Sequence, residues 1–170
     1  LTDSSSSWNW GQILHEVANY ERVIKENINN NIIALPIKIS RSAHVYCAML
    51  ACIKLRIPFV PFHSDTGKKK IKDYCEKFNS TIYLETNNIY NKKLIKFNNI
   101  KLKRSISSKY KTMLYILFTS GSTGEPKGVM CDAKNIINTL LWSTKYLKWK
   151  KNDIIGNVTQ FSFDISCIEP

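Results

Sequence analysis

Glycine is scarce in this 170-residue chain, with six in all, and three of them, Gly121, Gly124 and Gly128, fall in one short stretch. With five prolines and 44% hydrophobic residues the composition excludes a flexible linker or a low-complexity tract. Cysteine is present at an odd count of five (Cys47, Cys52, Cys75, Cys131 and Cys167), with no Cys-x-x-Cys and no Cys/His pairing of zinc type. That excludes a structural zinc site and a secreted disulfide framework. Cys47 and Cys52, on an apolar helical pattern, read as small core residues. No apolar run is long enough to span a bilayer and no leader pattern stands at the front, so the expectation is a cytoplasmic, reducing setting without membrane contact. In that setting the glycosylation-type triplets at Asn79 and Asn157 are chance matches. The three histidines, His15, His44 and His63, lack triad-like companions and read as structural or surface residues.

Acidic residues are few, 13 against 25 Lys and Arg, giving a net charge of +12. A nucleic-acid surface would gather such charge on one face with interleaved aromatics. Here the lysines, including Lys68, Lys69 and Lys70, accompany a general surplus of Lys, Asn and Ile on solvated positions, so nucleic acid is not an expected partner.

What is present is concentrated between positions 119 and 128, which read Thr-Ser-Gly-Ser-Thr-Gly-Glu-Pro-Lys-Gly. Glycines let backbone N–H groups approach an anion without an intervening Cβ. Ser120, Ser122 and Thr123 add hydroxyl donors, and Lys127 adds a compact positive charge. The segment is neither a Walker A loop, since Pro126 precedes Lys127 and Gly128 follows it, nor Gly-x-Gly-x-x-Gly. Nor is it a nucleophile elbow, which would need Gly at position 120. Tyr-Ile-Leu-Phe at 115–118 and Val-Met-Cys at 129–131 are short apolar runs of strand type, and Asp132 can cap a helix beginning at Ala133. The loop is therefore expected to join two strands and to hold phosphate.

The stretch from Tyr115 to Val129 resembles, along its whole length, the phosphate-loop signature of the adenylate-forming superfamily. That superfamily comprises acyl-CoA synthetases, luciferase-like enzymes and the amino-acid adenylation domains of nonribosomal peptide synthetases. The resemblance implies that Thr119, Ser120, Gly121, Ser122, Thr123 and Gly124 bind the β- and γ-phosphates of ATP, with Lys127 steadying the loop or its phosphates. It implies ATP with Mg²⁺ held largely by phosphate oxygens and water.

Upstream segments agree in order. Asn9 can cap a helix carrying Ile13, Leu14, Val17, Ala18 and Ile24 at helical spacing. Positions 32–39 are mostly apolar, but Pro36 and Lys38 make them a poor central strand. A buried helix is expected over 43–55, a strand within 57–62, a helix over 68–78 and a strand over 81–85. This alternation predicts an α/β fold with a largely parallel sheet and flanking helices. Arg56 stands where the family usually has a small residue or Gly, so the helix before it is expected to end without an easy left-handed cap. Ala133 stands where the family often has His. Positions 86–111, rich in Lys and Asn with no sustained period, read as a variable surface insertion.

Near the end, Phe-Ser-Phe-Asp-Ile-Ser at 161–166 resembles an element of amino-acid-activating members in which the Asp receives the substrate ammonium. A carboxylate in an apolar pocket costs desolvation unless a cation meets it, so Asp164 would select an amine-bearing acid, with Phe163 at the pocket edge. Asp164 also reads as a helix cap ahead of Ile165 and Ser166. The resemblance implies adenylation of a small carboxylic acid, then capture by a thiol: the phosphopantetheine of a carrier protein, or CoA. β-Alanine-activating relatives are one plausible subgroup. Acyl-CoA synthesis from a non-amino acid, or a noncatalytic remnant, are the alternatives. The family's ribose-binding Asp and catalytic Lys lie beyond the element containing Asp164. Positions 1–170 are thus expected to be an incomplete piece of the large N-terminal domain, without its C-terminal subdomain or a catalytic residue of its own, inactive alone and prone to association at an open sheet edge.

Overall fold

The structure is a computed structural model that describes residues 1–3, 6–40, 42–86, 93–97, 100, 112–119, 126–150, 152–157 and 159. Helix α1 (Trp10–Asn27) starts at a reciprocal cap: the Asn9 side chain accepts from the Gln12 N–H at 2.9 Å, and the Gln12 side chain accepts from the Asn9 N–H at 2.8 Å. Strand β1 (Leu35–Lys38), helix α2 (Ala43–Leu55), strand β2 (Phe59–Phe62), helix α3 (Lys68–Lys77) and strand β3 (Ile82–Glu85) follow. The chain continues through β4 (Lys93–Lys96), β5 (Met113–Thr119), β6 (Lys127–Asp132) and α4 (Ala133–Leu147). The α/β expectation holds, with one sheet in the order β4-β3-β1-β2-β5-β6. The pairs β1·β2, β1·β3 and β2·β5 are parallel; β3·β4 and β5·β6, at the two edges, are antiparallel.

Successive strand residues divide between two cores, as the period of two requires. Ile37, Phe59, Ile82, Leu84, Tyr115 and Leu117 join Val17, Tyr20, Ile24, Val45, Ala48 and Cys52 of α1 and α2. Val60, Phe62, Tyr83 and Ile116 turn the other way, onto Ile71, Tyr74, Cys75 and Phe78 of α3 and its cap. The sheet is covered on both faces, which is why β1, β2 and β3 are almost wholly apolar.

Three expectations are corrected. First, β1 is a central strand despite Pro36 and Lys38. Leu35 and Ile39 donate their N–H groups to the Pro58 and Phe62 carbonyls at 2.7 and 3.0 Å, so odd residues of β1 bond toward β2 and even ones toward β3. Pairing with β3 is registered only from Ile37 and Leu84, so Pro36 falls at the end of that ladder, and the Ile82 carbonyl there accepts from the Ser80 hydroxyl at 2.6 Å. Pro61 sits likewise on the β5 side of β2, where the register runs only through Phe59 and Tyr115. Lys38 is tolerated because its Nζ reaches Glu85 Oε1 at 2.7 Å.

Second, α2 does end in a left-handed residue, and that residue is Arg56 at φ 54°, ψ 38°, its N–H bonded to the Cys52 and Ile53 carbonyls. Holding a side chain there costs about 1–2 kcal/mol. Against the greater chain entropy of glycine, about 0.5–1 kcal/mol, Arg56→Gly is expected to stabilise the fold by about 0.5–1 kcal/mol in denaturant titration. A destabilised variant would show that the exposed Arg56 side chain contributes more than its backbone costs.

Third, the segment expected to lack period contains β4, paired along its length with β3. The side chain that leads into it is not a surface one: Thr86 is buried, and its hydroxyl donates to the Lys38 carbonyl at 2.9 Å.

His44 is structural, as expected, but it is not without companions. It is buried on α2, with Nδ1 3.3 Å from Glu16 Oε1 and 3.4 Å from the Tyr20 hydroxyl, and the Trp8 ring packs edge-on at 5.0 Å. Burial first, then the Glu16 carboxylate, pushes the Tyr20 phenol up, keeping it neutral.

Cys47, Cys52 and Cys75 are buried and unbridged. Burial pushes the Cys52 and Cys75 thiols up to about 12. They are inert at neutral pH. A thiol reagent applied to the native chain is expected to label the half-buried Cys131 before any of these three, as mapped by mass spectrometry. Early labelling of Cys52 would contradict the packing of α2 against the sheet.

Candidate functional site

Strand β5 runs parallel to β2, so its last residue, Thr119, emerges at the same edge of the sheet as the carboxyl ends of β1, β2 and β3. In sheets of this kind ligands bind outside the carboxyl ends of the strands, near the point where strand order reverses. That reversal occurs at β1, from which the chain passes to β2 on one side and returns to β3 on the other.

The loop after Thr119 joins two strands, as its flanks foretold. Thr119 pairs with Lys127 and Phe118 with Gly128 in the antiparallel β5·β6 ladder, and the Thr119 hydroxyl donates to the Lys127 carbonyl at 3.4 Å. Both ends of the loop are exposed, and Lys127 has no ion-pair partner among the described residues, leaving its charge available to an anion. Ser120, Gly121, Ser122, Thr123 and Gly124 lie outside the described residues, as do Phe163 and Asp164. Of the expected site residues the structure therefore brings together Thr119 and Lys127.

Gly128 has a local reason. A Cβ built there would lie 3.2 Å from Cγ2 of Ile116, close enough to press on it, and 3.4 Å from Cε1 of Phe118, in ordinary contact. Asp132 closes β6 and caps α4, its Oδ1 accepting from the Lys134 N–H at 2.9 Å. That hydrogen bond, followed by one from the Thr112 side chain, holds the Asp132 carboxyl below the usual range. A depressed folded pKa means the cap stabilises above the unfolded value and is lost as pH falls through the folded one. Below about pH 4 the first turn of α4 is expected to fray in amide exchange, and Asp132→Ala should abolish that pH dependence.

Sequence reasoning missed a polar group at the carboxyl ends of β1 and β3. Besides the Lys38–Glu85 pair, the Ser40 hydroxyl lies 2.9 Å from that of Ser42 and donates to the Thr86 carbonyl at 2.9 Å. Asp3 accepts from the Ala43 N–H at 2.8 Å and so caps α2 from a distant segment. The in-register facing of Lys38 and Glu85 was the only signal available, and it needed the strand pairing. Among the described residues no group of three or more His, Cys, Asp or Glu could hold a metal ion, and no helix is long and apolar enough to cross a membrane.

Comparison with known proteins agrees with this arrangement. Enterobactin synthase component F of Escherichia coli O157:H7 is 25% identical over 183 aligned positions, covering 99% of this chain and 14% of that protein. Surfactin synthase subunit 2 of Bacillus subtilis (strain 168) is 28% identical over 151, covering 81% of this chain and 4% of that protein. This chain thus spans a small part of the curated relatives it matches. The fold matches the N-terminal subdomain of NpsA from Klebsiella oxytoca, solved with 3-hydroxyanthranilyl-AMSN, at a TM-score of 0.70 and 21% identity, covering 98% of this chain and 44% of that one. It also matches ATP-bound MatB from Rhodopseudomonas palustris at a TM-score of 0.69 and 11% identity, covering 94% of this chain and 36% of that one. The family model of AMP-binding enzymes matches residues 3–169, so from the strand-to-strand loop at the carboxyl edge to the order of its helices and strands, this chain belongs to the AMP-binding enzyme family.

Proposed function

We propose that this chain is the phosphate-holding part of an ATP-dependent ligase that activates a carboxylic acid as its adenylate and passes the acyl group to a thiol. The observation that carries this is the placement of Thr119 and Lys127 at the two ends of a hydroxyl- and glycine-rich loop on the carboxyl edge of the sheet. Family membership and the ATP bound to the neighbour MatB support ATP as the nucleotide. In the reaction a carboxylate oxygen attacks the α-phosphorus of ATP, the bond to the bridging oxygen breaks, and pyrophosphate leaves. The thiol sulfur then attacks the acyl carbon, gives up its proton and displaces AMP.

Reactions of this kind depend mainly on positioning and on stabilising charge. Thr119, Ser120, Ser122 and Thr123 would donate hydroxyls, and the backbones of Gly121 and Gly124 amides, to the β- and γ-phosphates; Lys127 would offset charge gathering on pyrophosphate. Mg²⁺ bound with the nucleotide would supply charge that polarises its phosphates, held largely by their oxygens and by water.

The finer reading is an amine-bearing substrate. Asp164 would meet its ammonium beside Phe163, and the likeness to enterobactin synthase component F and surfactin synthase subunit 2 supports a carrier-protein thiol as acceptor. The test is pyrophosphate exchange by the complete gene product across a panel of amino acids, β-amino acids and fatty acids. Exchange confined to amine-bearing acids, and relaxed by Asp164→Ala, is the expected result. Exchange with fatty acids alone would transfer the protein to the acyl-CoA synthetase reading, and none with any acid would make it a noncatalytic remnant.

A further inference from the structure

The aromatic residue just before the loop is placed for more than filling the core. Phe118 lies one rung inside Thr119, opposite Gly128, and its Cε1 and Cζ atoms occupy the space beside the missing Gly128 side chain, 3.4 and 3.5 Å from where a Cβ would stand. Its ring stacks on Tyr74 with centroids 4.8 Å apart and planes 29° apart. Phe78 meets it edge-on at 6.0 Å, and the Lys77 ammonium lies 5.0 Å from the ring centroid. Three residues of one helix end thus converge on one side chain of the loop's stem. β6 is an edge strand, with Val129 and Met130 exposed beyond Gly128, so the Lys127 end of the loop reaches the body of the fold through its backbone ladder with β5 and, through that ladder, the Phe118 side chain. A ring that bridges the bare rung and stacks on α3 supplies that tie.

We propose that Phe118 is a positioning residue for the phosphate loop: by spanning Gly128 and stacking on Tyr74 beside Lys77 and Phe78, it holds Thr119 and Lys127 at a set distance and orientation from α3. The inference rests on the phosphate-loop reading above and adds to it the group that keeps the stem in place. Small displacements of groups that hold a reacting phosphate are expensive in rate, on the order of 10²-fold for a shift of about 1 Å.

In the complete gene product, Phe118→Leu is expected to keep its thermal unfolding within a few degrees while lowering kcat/KM for MgATP by on the order of 10²-fold in pyrophosphate exchange. The KM for the acid should not move. Phe118→Tyr, which retains the stacked ring, should restore the wild-type values. Tyr74→Leu, which removes the ring that Phe118 stacks on, should repeat the Phe118→Leu result and serves if that variant fails to fold. Amide hydrogen exchange gives an independent measurement: the Thr119 and Lys127 amides should exchange faster in Phe118→Leu, with those of α2 unchanged. Wild-type exchange of pyrophosphate with an unaltered KM for MgATP in Phe118→Leu, or unchanged stem amides, overturns the positioning role alone. Absence of exchange by the wild type with every acid overturns it together with the phosphate-loop reading.

Discussion

Replacing Ser122 and Lys127 together by Ala in the complete gene product is expected to lower pyrophosphate exchange by on the order of 10²–10³-fold, with the unfolding transition unmoved. The size follows from what is removed: a hydroxyl donor and the single positive charge that the loop motif offers to the departing pyrophosphate. The sparing of the fold follows from where Lys127 sits. It is exposed at the start of an edge strand, and its contribution to the ladder is a backbone one that Ala retains. An Arg at position 127 would not be a conservative repair, because a planar guanidinium fork does not reproduce the compact charge of an ammonium. Unchanged exchange in the double variant would remove the loop from the mechanism, while a lowered unfolding midpoint would show that Lys127 supports the stem instead.

Ile37→Ala is expected to cost about 2–5 kcal/mol, a large part of the 5–15 kcal/mol typical of a whole domain. Ile37 is fully buried on β1, registered with Pro61 on one side and Leu84 on the other, and it faces the core shared with α1 and α2. The same change at Ile53, on the exposed side of α2, should stay within about 0.5 kcal/mol and serves as the control. Denaturant midpoints compare the two directly. A cost below about 1 kcal/mol at Ile37 would return β1 to the edge position that its proline and lysine first implied.

The local architecture was legible. Asn9 ahead of the helical spacing from Ile13 to Ile24, and Asp132 ahead of Ala133, each carry a short-range cause, a side chain meeting a free N–H within one turn, and each helix starts where that cause puts it. The strand-to-strand setting of the loop was equally plain, because apolar runs flank it and no helix start follows Lys127 directly. Strand β4 was not legible, since an edge strand in a Lys- and Asn-rich stretch needs only half its side chains to be apolar and draws its stability from the backbone of β3. The left-handed Arg56 was hidden for a related reason: the hydrogen bonds to Cys52 and Ile53 and the packing of α2 outweigh a penalty of about 1–2 kcal/mol that local preference alone would avoid.

Residue order alone established the family signature at 119–128, the alternation of helices and strands, and the residue types available to phosphate and to an ammonium. Tertiary structure decided which strand lies in the middle, where Pro36 and Pro61 fall along their ladders, why Lys38 faces Glu85, and that Phe118 lies opposite Gly128 and stacks on Tyr74. The difference is one of range. A cap or a period is set by neighbours a few residues apart, whereas the side of a strand on which a missing N–H falls, and the ring that lies over a bare glycine, exist only once distant segments are in register.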